Sequence, residues 1–393
     1  MSHALINRSP DLLRLQNDGY ELEVRSDYLL VHGIPYVNAH GAICRGTLIS
    51  DLTLSADVTT RPHQHIVWFA GDHPCQRDGR EIPQIKHASQ HVLLAPDVVA
   101  QHSFSAKPAD GYRDYYAKMT RYVDIISAAA QSIQPGISAR TYKLIESKDQ
   151  ANIFRYVDTA SSRAGISSIS AKLVPYRVAI VGLGGTGSYL LDFLSKTPVR
   201  EIHLFDGDLF LQHNAFRAPG AASLDELIAQ MPKTTYLAQN YGKMRRGIVD
   251  HPVLIDETNV KELLPFDFVF LSMDSGLAKA LIIRTLQAGS RPFIDVGMGC
   301  HVVEETTALL AILRVTTSTT TKNNHVAAPV SIASPTEDDQ YHSNIQVAEL
   351  NAMCASLAII RWKKLCGFYH DLEREHHSTY STNVSLLTTD ECI

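Results

Sequence analysis

The chain of 393 residues holds no apolar run approaching the roughly 18 residues that a membrane-spanning helix needs. Its opening stretch, MSHALINRSPDLLRLQNDGY, has no apolar core of the signal-peptide kind. These absences predict a cytoplasmic protein without membrane contact. An excess of positive charge is missing as well: 36 Lys and Arg face 41 Asp and Glu, for a net charge of -5. Nothing in that balance favours nucleic acid as a partner. The cysteines (Cys44, Cys75, Cys300, Cys354, Cys366 and Cys392) are scattered and form no C-x-x-C pair. That excludes a disulfide framework and a cysteine-built zinc site from the expectations. Histidine is plentiful, but His63 with His65, or His87 with His91, has no companion cluster, so no metal site is read from them.

What is present is a globular composition, 45% hydrophobic and 20% charged, long enough for two domains. Residues 1–150 read as a smaller α+β domain. ELEVR and YLLVHGIPYVN alternate as strands, and GTLISDLTL is taken as a short helix. HQHIVWFAGDHPCQRDGREIPQI suggests a hairpin around Asp78-Gly79, and VLLAPDVVAQHSFS one further strand. Apolar residues at helical spacing from Tyr112 to Ile133 predict a helix that stops before Pro135-Gly136. The domain's topology is left between β-grasp-like and conjugating-enzyme-like, the strand–helix–strand order leaning to the first.

Residues 151–393 read differently. RVAIVGLGG, EIHLFDGD, DFVFLSMD and RPFIDVGMG are short apolar strands separated by helical segments, which predicts a mainly parallel, Rossmann-like α/β sheet covered on both faces. The late segment IQVAELNAMCASLAIIRWKKLCGFY is apolar around most of its circumference, so it is expected in a core or at a subunit interface.

Gly182, Gly184, Gly185 and Gly187 form a G-x-G-x-x-G turn between a strand and a helix. In that context the glycines let backbone approach a phosphate, and the helix N-terminus attracts its charge. Asp206, at the end of the next strand, is placed to accept from ribose hydroxyls. This much suits NAD, FAD or ATP alike. Asp208, Asn214, Arg217, Lys233 and Asp274 follow. A dehydrogenase does not need such a set near its ribose acid. A nucleotidyl transferase does: Arg and Lys offset charge on the α-phosphate and leaving pyrophosphate, and a strand-end carboxylate can hold Mg²⁺.

The order of these residues resembles the ubiquitin-activating family of ThiF/MoeB type: a glycine loop, D-x-D with N-x-x-R, a lysine, then an aspartate after a later strand. The resemblance covers residues 160–315, and the helix near 345–369 matches the family's late core helix. It implies ATP and Mg²⁺ as cofactors. Asp206 would meet ribose, with Asn214, Arg217 and Lys233 at the phosphates and Asp274 at Mg²⁺; Asp208 joins them or caps a turn. Arg163 is implied as the arginine that family dimers donate to a neighbouring site, and with it a homodimer. Lys279, five after Asp274, is implied as a second phosphate or carboxylate contact.

Two departures shape the expectation further. The double C-x-x-C of zinc-bearing relatives is absent, so no zinc is expected. Residues 301–353 contain no cysteine where thioester-forming relatives carry theirs. Cys300 fits packing better than nucleophilic duty. The hydroxyls of Thr316, Thr317, Ser318, Thr319, Thr320 and Thr321 stand as oxyester candidates against a plain strand end. YVNAHGAICRGTLISDL, HIVWFAGDHPC and DTASSRAG also resemble bacterial proteins that fuse an uncharacterised N-terminal domain to a ThiF-like one. That resemblance implies adenylation of a ubiquitin-like carrier, with a conjugating-enzyme-like protein as a further partner.

Overall fold

The structure is a computed structural model that describes residues 2–96, 98–144, 152–274, 276–327 and 345–389. It divides into two compact units, one of residues 1–145 with 162–164, the other of residues 146–161 with 165–393. No described helix is long and apolar enough to cross a membrane.

The first unit begins with helices Ser2–Arg8 and Pro10–Asn17. Strands β1 (Glu21–Arg25), β2 (Tyr28–Val37) and β3 (Ile43–Asp51) follow. Then come the short pair β4 (Leu54–Ser55) and β5 (Val58–Thr59), β6 (Ile66–Ala70), β7 (Lys86–Ala95) and β8 (Val98–Ser105). The main sheet has the order β1-β2-β3-β6-β8-β7, with every neighbouring pair antiparallel. The helix Tyr115–Ile133 closes it, capped by Asp114, whose side chain accepts from the Ala117 N–H at 2.7 Å. Tyr115, Met119, Tyr122 and Ile126 recur at helical spacing and pack with Leu29, Val31, Leu48 and Phe104.

Several expectations for this unit need correction. GTLISDLTL is no helix: Thr47, Leu48 and Ile49 pair with Ala70, Phe69 and Trp68 in the sheet. Pairing on both edges outweighs the weak local preference of such a short run. VLLAPDVVAQHSFS spans two strands, because Pro96 lies at the break between β7 and β8, where it owes no ladder hydrogen bond. Asp78-Gly79 does reverse the chain, with Gly79 at φ +81°, but only the isolated bridge Cys75–Glu81 accompanies it. The partners of β6 are β3 and β8. The long helix follows the last strand, so the strand–helix–strand order that leaned to β-grasp does not occur among the described residues.

The second unit holds an eight-stranded sheet of order β11-β10-β9-β12-β13-β14-β15-β16. These are Ile248–His251, Glu201–Phe205, Arg177–Val181, Phe268–Leu271, Phe293–Val303, Ala308–Ser318, His377–Ser381 and Leu386–Thr388. β11, β10, β9, β12 and β13 run parallel, and the rest add antiparallel. The α/β expectation therefore holds. Helices Gly185–Ser195 and Ala348–Leu365 share one core with the sheet through Leu190, Leu194, Ala355 and Trp362. The other core holds Ile282 and Leu286 of the helix Leu277–Ala288. The late helix buries Cys354, Ala355, Ala358, Ile359 and Trp362 within its own unit. Part of its apolar circumference is thus covered within the chain, while Ile360 and Leu365 stay exposed.

Successive strands leave β9 in opposite directions, to β10 on one side and β12 on the other. The crevice above such a switch point is where open α/β sheets take ligands. Gly182 follows β9 at that place.

Candidate active site

The glycine loop is built by three close approaches. Gly182 has φ +89°, and a Cβ there would come within 2.5 Å of the Ser272 carbonyl oxygen. A Cβ on Gly187 would overlap the Gly182 carbonyl, and one on Gly185 would overlap the Asn351 amide. Only Gly184, the N-cap of the helix Gly185–Ser195, has open space where a Cβ would stand. Packing thus explains Gly182, Gly185 and Gly187, while Gly184 leaves room for a group lying against the helix N-terminus.

Asp206 directly follows β10, is 8% exposed, and joins two parts of the site. Its Oδ2 accepts the Leu183 N–H at 2.6 Å, and its Oδ1 accepts the Asp208 N–H at 2.8 Å. Lys233 opens the helix Lys233–Gly242 and is also buried; its Nζ lies 2.6 Å from Asp208 Oδ2 and 3.6 Å from Asp206 Oδ1. Asp206, Asp208 and Lys233 therefore meet beside the glycine loop. A carboxylate offers about four lone-pair sites, so Asp206 retains acceptor capacity for ribose hydroxyls.

Asn214, on the short helix Gln212–Ala215, is 3% exposed. Its Oδ1 accepts the Leu211 N–H at 2.8 Å, while its buried Nδ2 has no hydrogen-bond partner among the described residues. The buried Nε of Arg217 also lacks one among the described residues. Unpaired buried donors cost free energy until an acceptor arrives, and phosphate oxygens are such acceptors. These donors, with the open space at Gly184, fit a nucleotide triphosphate.

Asp274 is exposed and lies in the loop after β12. Ser272 of that loop donates from Oγ to the Gly182 carbonyl at 2.6 Å, fixing the loop against the glycine turn. Among the described residues no group of three or more His, Cys, Asp or Glu gathers as a metal site. Asp274 with phosphate oxygens is a donor set that suits Mg²⁺, which keeps several waters and takes few protein ligands. Arg163 ends the short helix Thr159–Arg163 and is exposed.

Lys279 is taken up inside the protein. It is 3% exposed, with Nζ 2.6 Å from Asp295 Oδ1 and donating to the Met273 carbonyl at 3.2 Å. Cys300 lies within β13 opposite Ala311, and burial raises its thiol pKa. Thr316, Thr317 and Ser318 are buried strand residues at the end of β14, which removes them as nucleophile candidates. Asn351 drew no attention in the sequence. It is fully buried, accepts at Oδ1 from Thr186 Oγ1 at 2.9 Å, and leaves Nδ2 against Gly185 without a partner among the described residues. Only a contact spanning 165 residues reveals it.

The chain matches the ThiF family over residues 160–367, and a domain of unknown function (DUF6791) over residues 10–159. No curated protein matches. Similar solved structures include E. coli MccB with ATP, at 18% identity and TM-score 0.44, covering 57% of this chain and 65% of that one. E. coli MccB with MccA-N7isoASN follows at 17% and 0.45, covering 57% and 66%. PaaA stands at 15% and 0.45, covering 57% and 76%. This chain thus spans slightly under two thirds of those two MccB chains.

Proposed function

The chain belongs to the ThiF family, and from that premise we propose that it adenylates a carboxylate with ATP, the substrate being the C-terminus of a ubiquitin-like carrier. The observation that carries this is the joint placement of Asp206, Asp208 and Lys233 beside a glycine loop with open space at Gly184. Unpaired buried donors on Asn214 and Arg217 support it.

In this reading the carboxylate oxygen attacks the α-phosphorus of ATP, and pyrophosphate leaves. The backbone at Gly184 and Gly185, with Arg217 and Lys233, holds the phosphates and offsets the charge growing on the leaving group. Lys233 exchanges part of its contact with Asp208 for a phosphate oxygen, a short shift for a lysine head. Asp274 would hold Mg²⁺, which would supply further charge neutralisation. Asp206 orients the ribose. The nucleophile belongs to the substrate, so the protein contributes positioning and electrostatics.

The domain boundary at 150/151, a cytoplasmic location, a conjugating-enzyme-like partner and a homodimer belong to the same reading. For the dimer, Ile360 and Leu365 remain exposed on the late helix, at 43% and 41%. Arg163 would serve the neighbouring site in that dimer. ATP–pyrophosphate exchange, with and without a candidate carrier, tests the reaction. Exchange that depends on the carrier and vanishes in Asp274→Ala, with ATP binding retained, is the expected result. Wild-type-like exchange in Asp274→Ala ends the assignment.

A further inference from the structure

Asp295, on β13, is fully buried between two cations. Its Oδ1 lies 2.6 Å from Lys279 Nζ, and its Oδ2 accepts from Arg314 Nη2 at 2.7 Å. One carboxylate balances one cation, so this triad carries a positive charge in excess. Buried charge is costly without a counter-charge, which makes the surplus a place for an anion. Of the two cations, Lys279 is sealed in, whereas the Arg314 side chain is 17% exposed.

The guanidinium is held flat. Nη1 donates to Thr316 Oγ1 at 3.2 Å, and the plane lies across Gly297, where a Cβ would come within 2.5 Å of Nη2 and 3.1 Å of Nε. Five N–H donors are available on an arginine, more than these two partners use. The register sets its height. Val181, Leu271, Asp295 and Thr316 stand side by side across β9, β12, β13 and β14. Arg314 and Gly297 pair one step of two residues beyond that row, on the edge where the glycine loop opens. Lys279 ties the triad to the Met273 carbonyl, one residue before Asp274.

Asn214, Arg217 and Lys233 all come from the segment after β10, on one side of β9. Arg314 comes from the other side. A carboxylate nucleophile and an α-phosphate repel each other, and a planar cation that grips the carboxylate relieves this and orients the attack. We propose that Arg314 binds the substrate's carboxylate, with Asp295 and Lys279 as positioning residues. The assignment rests on the adenylation reading and adds a separate substrate site to it.

The test measures binding of a synthetic peptide ending in Gly-Gly, as the free acid and as the C-terminal amide, to the full chain. Wild type is expected to prefer the acid by about tenfold or more, the range of a charge-assisted bond. In Arg314→Gln, which leaves Lys279 and Asp295 as a neutral pair, that preference should collapse to within about twofold. ATP affinity and thermal stability are expected to hold. Should Arg314→Gln not fold, Arg314→Lys replaces it and should lose at least half of the preference, since lysine lacks the fork. No acid preference in wild type, or a wild-type preference in the folded variant, overturns the proposal. ATP binding is read separately: its absence sinks the nucleotide reading, whereas the acid-versus-amide result judges Arg314 alone.

Discussion

Asp206 and Leu183 are joined across the switch point: the aspartate's Oδ2 accepts the Leu183 N–H at 2.6 Å. The residue proposed to meet ribose therefore also holds the turn proposed to meet phosphate. Removing it should do more than delete a ligand contact. Asp206→Ala is expected to weaken ATP binding by about tenfold to a hundredfold, from a charge-assisted bond lost in a buried place. It should lower the melting temperature as well, because the buried N–H of Leu183 loses its acceptor. Asp206→Asn, which keeps an acceptor oxygen, should recover much of the stability. Calorimetric titration and thermal unfolding separate the two effects. Unchanged stability in Asp206→Ala would confine Asp206 to ligand contact.

The glycines of one motif should answer differently to the same substitution. Gly187→Ala puts a methyl group into the Gly182 carbonyl, and backbone cannot step aside cheaply. A loss of about 3 kcal/mol or more, or failure to fold, is expected. Gly184→Ala meets nothing within 4 Å and has φ -69°, so the fold should tolerate it. On the proposed reading a methyl there fills space that a phosphate would take, so ATP affinity should fall while the melting temperature stays. If Gly184→Ala binds ATP like wild type, the phosphates lie elsewhere.

These glycines show what was legible in the sequence. The strand, turn and helix around Gly182–Gly187 are contiguous, so their pattern carries the fold and the proposed place of the nucleotide. Asp206, Asn214, Arg217 and Lys233 follow within one crossover. The misread parts depend on distant partners. β3 is a strand because β2 and β6 flank it, which GTLISDLTL cannot show by itself. Lys279 reads as a substrate contact until Asp295, sixteen positions on, takes it. Asn351 becomes visible only when the late helix packs on the glycine helix.

In the first unit, Lys118 is fully buried, with Nζ donating to Ser50 Oγ at 2.8 Å and 3.4 Å from Asp51 Oδ1. Burial outweighs the pull of Asp51 and lowers its pKa from 10.5 to about 8. Between those values the unfolded chain holds a proton that the folded unit does not. Stability therefore rises with pH across that window, by on the order of 3 kcal/mol. Below about pH 8 both states are protonated, and the cost of burying the charge is present in full. Lys118→Met removes the titrating group, so the variant should lack this part of the rise. Denaturant unfolding at pH 7 and pH 10 gives the comparison. Equal pH dependence in wild type and Lys118→Met would show that Lys118 does not titrate in the window.

After the proposed adenylation the activated carboxylate is expected to leave as the acyl-adenylate, without a covalent stop on this protein. A thiol nucleophile needs exposure and a lowered pKa. Cys354 is buried with its pKa pushed up to about 12, and Cys366 is raised to about 11. Burial also raises Cys75 and Cys300, the latter fixed within β13. Cys392 lies outside the described residues. The hydroxyl alternative is weakened by Thr316, Thr317 and Ser318, which close β14 at 0%, 0% and 2% exposure. Incubating the protein with a candidate carrier and ATP-Mg should therefore give no adduct that survives denaturing electrophoresis. An adduct lost under reductant and absent from Cys300→Ser would establish a thioester. One that resists reductant but is lost in mild hydroxide would point to Thr319, Thr320 or Thr321, beyond the strand end. Without either, direct transfer from the adenylate to a partner is the step that follows, with Cys300 fixed in β13 and the thiols of Cys75, Cys300, Cys354 and Cys366 raised.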